Sequence, residues 1–118
     1  MAAGSEADRV VYEMTSTGGF ARDFGLRDQM RRAAVSVMAN IAEGFERRGR
    51  REFVRFLIIA KGSTAELQAQ LYVALDIGYI DRERFDQLYE LCIQTGKLIG
   101  GLIRYLRTQL EPRIPGTT

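Results

Sequence analysis

Apolar residues recur every three or four positions along most of the chain, and this spacing is the period of an α-helix. One segment shows it clearly, with Leu26, Met30, Ala33, Val37 and Ile41 on one side. Glycines and polar turns separate the periodic segments from one another. We predict helices at about residues 5–15, 23–45, 51–77 and 81–110.

These segments predict an all-α fold, an antiparallel up-down four-helix bundle with a short first helix. The 118 residues suit a single domain covering 1–118. Both prolines, Pro112 and Pro115, lie near the C-terminus, so we expect the tail at 111–118 to be disordered. Inside the last helix, Gly96 and Gly100 predict close approach of a neighbouring backbone.

Polar residues interrupt the apolar faces of the second and third predicted helices. If these helices fold back on each other at Gly49, residues equidistant from the turn become neighbours. The register predicts an ion pair between Arg32 and Glu66, and a second between Glu43 and Arg55. It also sets Ser36 beside Ser63. We expect this polar seam to fix the register rather than to catalyse a reaction. Its members are Arg32, Ser36, Asn40, Glu43, Arg55, Ser63 and Glu66.

A second apolar side of the third predicted helix is formed by Val54, Ile58, Ala65 and Tyr72. The short first helix leaves little of the chain to cover this side. We therefore expect it to be an oligomer interface between copies of the chain.

Arginines concentrate where the second predicted helix gives way to the third, at Arg47, Arg48, Arg50, Arg51 and Arg55. Between residues 47 and 61 there are six basic residues and one acidic residue, although the whole chain has a formal net charge of +2. A positive cluster at a helix junction predicts binding of a polyanion, and guanidinium forks suit the phosphate backbone of nucleic acid. Aromatic residues for base stacking are sparse nearby, so we expect low sequence specificity.

Two alternatives remain for the same arginines. One is a solvated turn, because helical spacing allows some of them to pair with Glu43, Glu46 and Glu52. The other is contact with acidic patches of a protein partner, which would make the chain a non-enzymatic assembly or adaptor protein.

Composition argues against catalysis. The chain has no histidine, and its one cysteine, Cys92, falls on the apolar stripe of the last helix. Phosphate-cradling glycine motifs are also missing, and we predict no catalytic residue, metal or cofactor. With a single cysteine and no apolar run near the ~20 residues of a membrane helix, we expect a cytoplasmic protein.

Several longer motifs resemble the bacterial 23S rRNA intervening-sequence protein family. They are residues 25–36 (GLRDQMRRAAVS), 40–45 (NIAEGF), 51–53 (REF), 61–63 (KGS) and 75–80 (LDIGYI). The resemblance covers about residues 20–107, and NIAEG is its most specific part.

The resemblance implies an antiparallel four-helix bundle that assembles as a homopentamer. The family is related to the accessory variability protein of diversity-generating retroelements, a basic pentamer that binds nucleic acid and a reverse transcriptase. RNA or DNA, and a reverse transcriptase, are thus the partners that the resemblance implies. This chain departs from the family pattern in its short first helix and in having no tryptophan.

Overall fold

The computed structural model describes residues 2–110, and helices account for nearly all of them. They are α1 (Ala2–Met14), α2 (Gly18–Arg22), α3 (Phe24–Glu46), α4 (Arg50–Ile77) and α5 (Arg82–Leu110). Within these residues there is no strand and the helices pack in pairs, which confirms the prediction of an all-α bundle. None of the described helices is both long and apolar enough to cross a membrane. The tail predicted to be disordered lies outside the described residues.

The short helix α2 has no counterpart in the prediction, which leaves residues 16–22 as a connection between two helices. Phe20 has no exposed surface, and its ring centroid lies 5.1 Å from that of Tyr79. Burial of this ring against a distant part of the chain fixes one helical turn in front of α3. In addition, α1 begins at Ala2, earlier than predicted.

Four of the helices close into a ring. Helix α3 packs along α4, α4 packs along α5, and α1 lies between α3 and α5. Arg31 of α3 fastens the end of α1, since its Nε donates to Thr15 Oγ1 at 2.9 Å and its Nη2 donates to Ser16 Oγ at 3.1 Å. Ala7 lies beside Ala34, further along α3, so α1 and α3 are antiparallel.

Two apolar cores follow one another along a bundle that measures 63 × 24 × 21 Å. The first core includes α1, and Val10, Met30 and Leu71 within it have no exposed surface. The second core comprises Val37, Ile41, Val54, Leu57, Ala60, Ile99, Ile103 and Leu106. Among the residues whose burial is described, the buried members of the second core come from α3, α4 and α5 alone.

Capping residues explain where the long helices begin and end. Asp23 Oδ1 accepts a hydrogen bond from Leu26 N at 3.1 Å, and Asp81 Oδ1 accepts one from Arg84 N at 2.8 Å. Gly78 ends α4 with a φ of 89°, a conformation that favours glycine. These caps start α3 and α5 and reverse the chain between α4 and α5.

Candidate nucleic-acid interface

The five clustered arginines lie at one end of the bundle, where α3 ends and α4 begins. Arg47 and Arg48 are in the turn, Arg50 and Arg51 open α4, and Arg55 follows one helical turn later. All five residues are exposed. We call them the arginine turn.

Backbone donors of α4 face this cluster as well. Gly49 is the N-cap residue, with an extended backbone (φ −176°), and no described side chain caps the helix there. The first four N–H groups of a helix have no acceptor within it, and the helix dipole makes this end attractive to anions. The arginine turn therefore combines guanidinium donors with open backbone N–H groups.

A buried glycine brings α3 close to α4 beneath the arginine turn. A Cβ added at Gly44 would lie 2.7 Å from Phe53 Cδ1 and 3.2 Å from Phe56 Cβ. The Phe53 ring also packs against Phe45, with centroids 4.8 Å apart. Since only a hydrogen atom fits at Gly44, the contacts with Phe53 and Phe56 fix the spacing of α3 and α4 next to the arginine turn.

Two of the five arginines pair with glutamates three or four positions away. Arg47 Nη2 lies 2.7 Å from Glu43 Oε1, and Arg55 Nη1 lies 2.9 Å from Glu52 Oε1. Both pairs are exposed, so they are worth only a few tenths of a kcal/mol each. The pairing with nearby glutamates that the solvated-turn alternative considers therefore occurs for Arg47 and Arg55.

Arg48, Arg50 and Arg51 form no salt bridge with any described residue. Within the described residues, Arg48 pairs with none of Glu43, Glu46 and Glu52. Three guanidinium groups at the turn therefore remain free to contact an anion.

The polar seam between α3 and α4 is centred on two serines. Ser36 Oγ and Ser63 Oγ lie 2.8 Å apart, and Asn40 Nδ2 donates to the Ser36 carbonyl at 2.8 Å and to Ser36 Oγ at 3.0 Å. Arg32 and Glu66 line the same groove, which has a volume of about 370 Å³. The register expected from Gly49 brings these residues together.

The ion pairs predicted across the seam are wrong. Among the described residues, Arg32 and Glu66 form no salt bridge although they line one groove. Glu43 and Arg55 pair within their own helices instead, with Arg47 and Glu52. Partners three or four positions away on one helix are reached without crossing to another. The hydrogen bond of the seam that crosses from α3 to α4 joins two hydroxyl groups, Ser36 and Ser63, rather than two charges.

The predicted oligomer interface divides into core and surface. Val54 is only 7% exposed and belongs to the second core, because α5 covers that side of α4 near its start, so its assignment to an interface is wrong. Ile58 and Tyr72 are 46% and 50% exposed, and Ala65 is exposed as well. Tyr72 also packs edge-on against Phe85, with ring centroids 5.0 Å apart.

A second basic feature, which was not predicted from the sequence, lies between α4 and α5. Lys61, Lys97 and Arg104 line a groove of about 420 Å³ together with Gly96 and Gly100. We call this the α4–α5 groove. The prediction that a neighbouring backbone comes close at these glycines is wrong, because a Cβ added at Gly96 would meet no atom within 4 Å. The sequence does contain a signal for this groove, because two glycines alternate with two cations on one side of α5.

Cys92 is buried beside this groove, with 2% of its surface exposed. Burial raises the pKa of the Cys92 thiol to about 12. The group is therefore a neutral thiol at physiological pH, and the thiolate form that acts as a nucleophile is suppressed.

Comparisons with known proteins agree with the observed architecture. The chain matches the family described as 23S rRNA-intervening sequence protein over residues 4–101. It is also similar to a solved protein of unknown function from the S23 ribosomal protein family of Bacteroides thetaiotaomicron. The TM-score is 0.79 at 25% sequence identity, and the match covers 86% of this chain and 92% of that one. A search of the curated proteins gives no significant match.

Proposed function

The chain belongs to the 23S rRNA-intervening sequence protein family, and from its exposed arginine turn we propose that it binds nucleic acid through the phosphate backbone. The observation that carries the proposal is the set of three exposed arginines, Arg48, Arg50 and Arg51, that have no carboxylate partner in the described chain. Guanidinium groups bind phosphate through two parallel hydrogen bonds, and the open N–H groups of α4 add donors of the same polarity.

Low sequence specificity follows from the side chains around the turn. Base readout requires hydrogen-bonding groups that reach base edges, or aromatic rings on which bases stack. Phe45 is the exposed ring here, with 66% of its surface accessible, while Phe53 is partly buried beneath it. A single exposed ring can stack on one base but cannot distinguish one nucleic acid sequence from another.

Assembly into an oligomer, in the form of the homopentamer implied by the family resemblance, is part of the proposal. Ile58 and Tyr72 give α4 exposed apolar side chains, and a second copy of the chain would remove them from water. Ala65 lies between them in sequence but lines the α4–α5 groove, so it is left out of the proposed interface. Each added copy repeats the arginine turn, so one strand that spans several turns gains avidity. Native mass measurement gives the subunit number, which we expect Ile58→Glu to lower.

The binding experiment is a fluorescence anisotropy titration with a labelled single-stranded RNA of about 20 nucleotides, repeated between about 50 and 200 mM salt. A turn variant replaces Arg48, Arg50 and Arg51 with Gln. If three phosphate contacts are lost, the slope of log affinity against log salt falls by about 2 for a single strand.

The matched control removes the same charge from the other half of the bundle, at Arg9, Arg22 and Arg82, which are all exposed. We expect the control variant to bind with the salt slope of the unmodified protein. Binding that is absent, indifferent to salt, or equally weakened in both variants would contradict the proposal.

A protein-docking role is the second candidate, favoured by further apolar side chains on α4. Ile59, Val73 and Ile77 are 49%, 45% and 54% exposed. An adaptor would use this surface to hold a protein partner, for which the family resemblance implies a reverse transcriptase. A pull-down tests this function. It would be favoured over nucleic-acid binding by a partner that stays bound after nuclease treatment, stays bound to the turn variant and is lost with Ile59→Glu.

A further inference from the structure

The α4–α5 groove carries positive charge that no described acid neutralises. Lys61 extends from α4, and Lys97 and Arg104 extend from α5. No acidic residue lines the groove, and none of the three cations forms a salt bridge within the described chain. The residues three and four positions away from each cation are also free of Asp and Glu. Such a cluster has a strong local potential in a chain that is close to neutral overall.

The lysine distribution of the chain is concentrated in this one place. The sequence contains fifteen arginines but only two lysines, Lys61 and Lys97, and both line the α4–α5 groove. A lysine ammonium is a compact charge on a flexible stem, and it binds phosphate as a point charge. Both lysines of the sequence therefore add positive charge to the same surface.

Glycines keep the floor of the groove open. A methyl group placed on Gly96 would meet no atom within 4 Å, and at Gly100 the nearest atom would be Arg104 Nη1 at 3.6 Å. The Arg104 guanidinium thus lies over bare backbone. Each glycine inside a helix costs about 1 kcal/mol relative to alanine, and no helix packs closely enough here to offset that cost. The open floor is consistent with space for a ligand.

The cations are arranged along the bundle rather than around a point. Lys97 and Arg104 are seven residues apart on α5, which is about 10.5 Å along the helix axis. This distance spans about three phosphates at ~3.4 Å per nucleotide of a stacked strand. A single small phosphate compound would not need cations so far apart.

The same row of charge continues toward the arginine turn. Arg50 and Lys61 are eleven residues apart on α4, close to three whole turns, so they project from the same side of the helix. Arg50 belongs to the arginine turn, and Lys61 belongs to the α4–α5 groove. One linear polyanion can therefore contact both surfaces.

We propose that the α4–α5 groove binds the backbone of a single nucleic acid strand, as a continuation of the strand held by the arginine turn. This inference rests on the proposed function. The groove volume of about 420 Å³ suits a short stretch of one strand rather than a duplex. Protein partners need buried apolar or aromatic anchors, whereas Ile93 is the one large apolar residue among those lining the groove.

The first test uses the two lysines as reporters in the unmodified protein. A limiting amine-acetylating reagent is applied with and without a saturating single-stranded RNA of about 20 nucleotides, and acetylation is measured by peptide mass spectrometry. We expect bound RNA to slow acetylation of Lys61 and Lys97 about fivefold or more, because binding occupies their ammonium groups. The N-terminal amine is the internal control. Equal acetylation of both lysines in a saturated complex would overturn the proposal.

The second test uses a groove variant in which Lys61, Lys97 and Arg104 become Gln. Relative to the charge-matched control variant, we expect about tenfold weaker binding of the single strand and a salt slope reduced by about 2. A groove variant that binds like the control, while the turn variant is weakened, would refute the groove and leave the proposed function intact. Failure of the unmodified protein to bind at any salt concentration would instead remove the proposed function, and the groove with it.

Discussion

Adding one methyl group at either of two helical glycines should change stability in opposite directions. The substitutions are Gly44→Ala in α3 and Gly96→Ala in α5. Alanine is favoured over glycine inside a helix by about 1 kcal/mol, so propensity alone predicts a gain at both positions. The surroundings of the new methyl group decide the difference.

At Gly96 the new Cβ would meet no atom within 4 Å, so the propensity gain is kept. We expect the free energy of unfolding to rise by about 0.5–1 kcal/mol. At Gly44 the Cβ would lie 2.7 Å from Phe53 Cδ1 and 3.1 Å from Cε1 of the same ring, well inside contact distance. Overpacking of this kind costs about 1–3 kcal/mol, which exceeds the propensity gain. We therefore expect Gly44→Ala to destabilise the protein by about 1 kcal/mol, and the two variants to differ by about 2.

Urea denaturation followed by far-UV circular dichroism measures both changes. The protein concentration must be the same throughout, because the proposed assembly of subunits would make apparent stability depend on concentration. Gly62→Ala is a second control, since a Cβ there also meets nothing within 4 Å. A Gly44→Ala variant as stable as Gly96→Ala would show that Phe53 does not hold α3 against α4 as described.

Three further predictions concern single sites. Burial raises the pKa of Asp8 from 3.8 to about 6, so the folded state holds a proton that the unfolded state has released; stability should fall as pH rises from about 4 to 6. Asp8→Asn should abolish this dependence and stabilise the protein at pH 7 by on the order of 1 kcal/mol, since the carboxyl is partly exposed. Denaturation curves recorded across pH measure both effects, and a variant whose stability depends on pH as the unmodified protein's does would contradict the prediction. Ser36→Ala and Ser63→Ala should show a coupling of about 0.5–1 kcal/mol in a double-mutant cycle, and strict additivity would argue against their hydrogen bond. Cys92, with its pKa raised to about 12, should react with iodoacetamide at pH 8 only as fast as the protein opens, and rapid alkylation without denaturant would refute its burial.

Long amphipathic segments made most of the fold predictable. In α3, α4 and α5 the apolar period continues over six or more turns, and fixed boundary signals such as Asp81 and Gly78 accompany it. The five residues of α2 are too few to show a period. That helix depends on contact between Phe20 and Tyr79, which sequence spacing does not reveal.

Prediction of the candidate site was less complete, for a different reason. Counting from Gly49 brought Ser36 level with Ser63, because helical rise is regular. The same count could not decide which carboxylate each arginine reaches, since that choice depends on side-chain rotamers. The prediction at Gly96 was wrong because a glycine signals open space as readily as close packing, and only its neighbours distinguish the two.

The described part of α1 reaches only the first core, and this gives the molecule a graded rigidity along its length. Amide hydrogens near Val10 and Met30 lie among four helices and should exchange with solvent slowly. Those near Ile41 and Ile103 are covered by one described helix fewer, so we expect them to exchange faster. The arginine turn lies in the half where we expect faster exchange. If it binds a strand as proposed, lower local stability would let its guanidinium groups adjust to that strand while the opposite end of the bundle changes less.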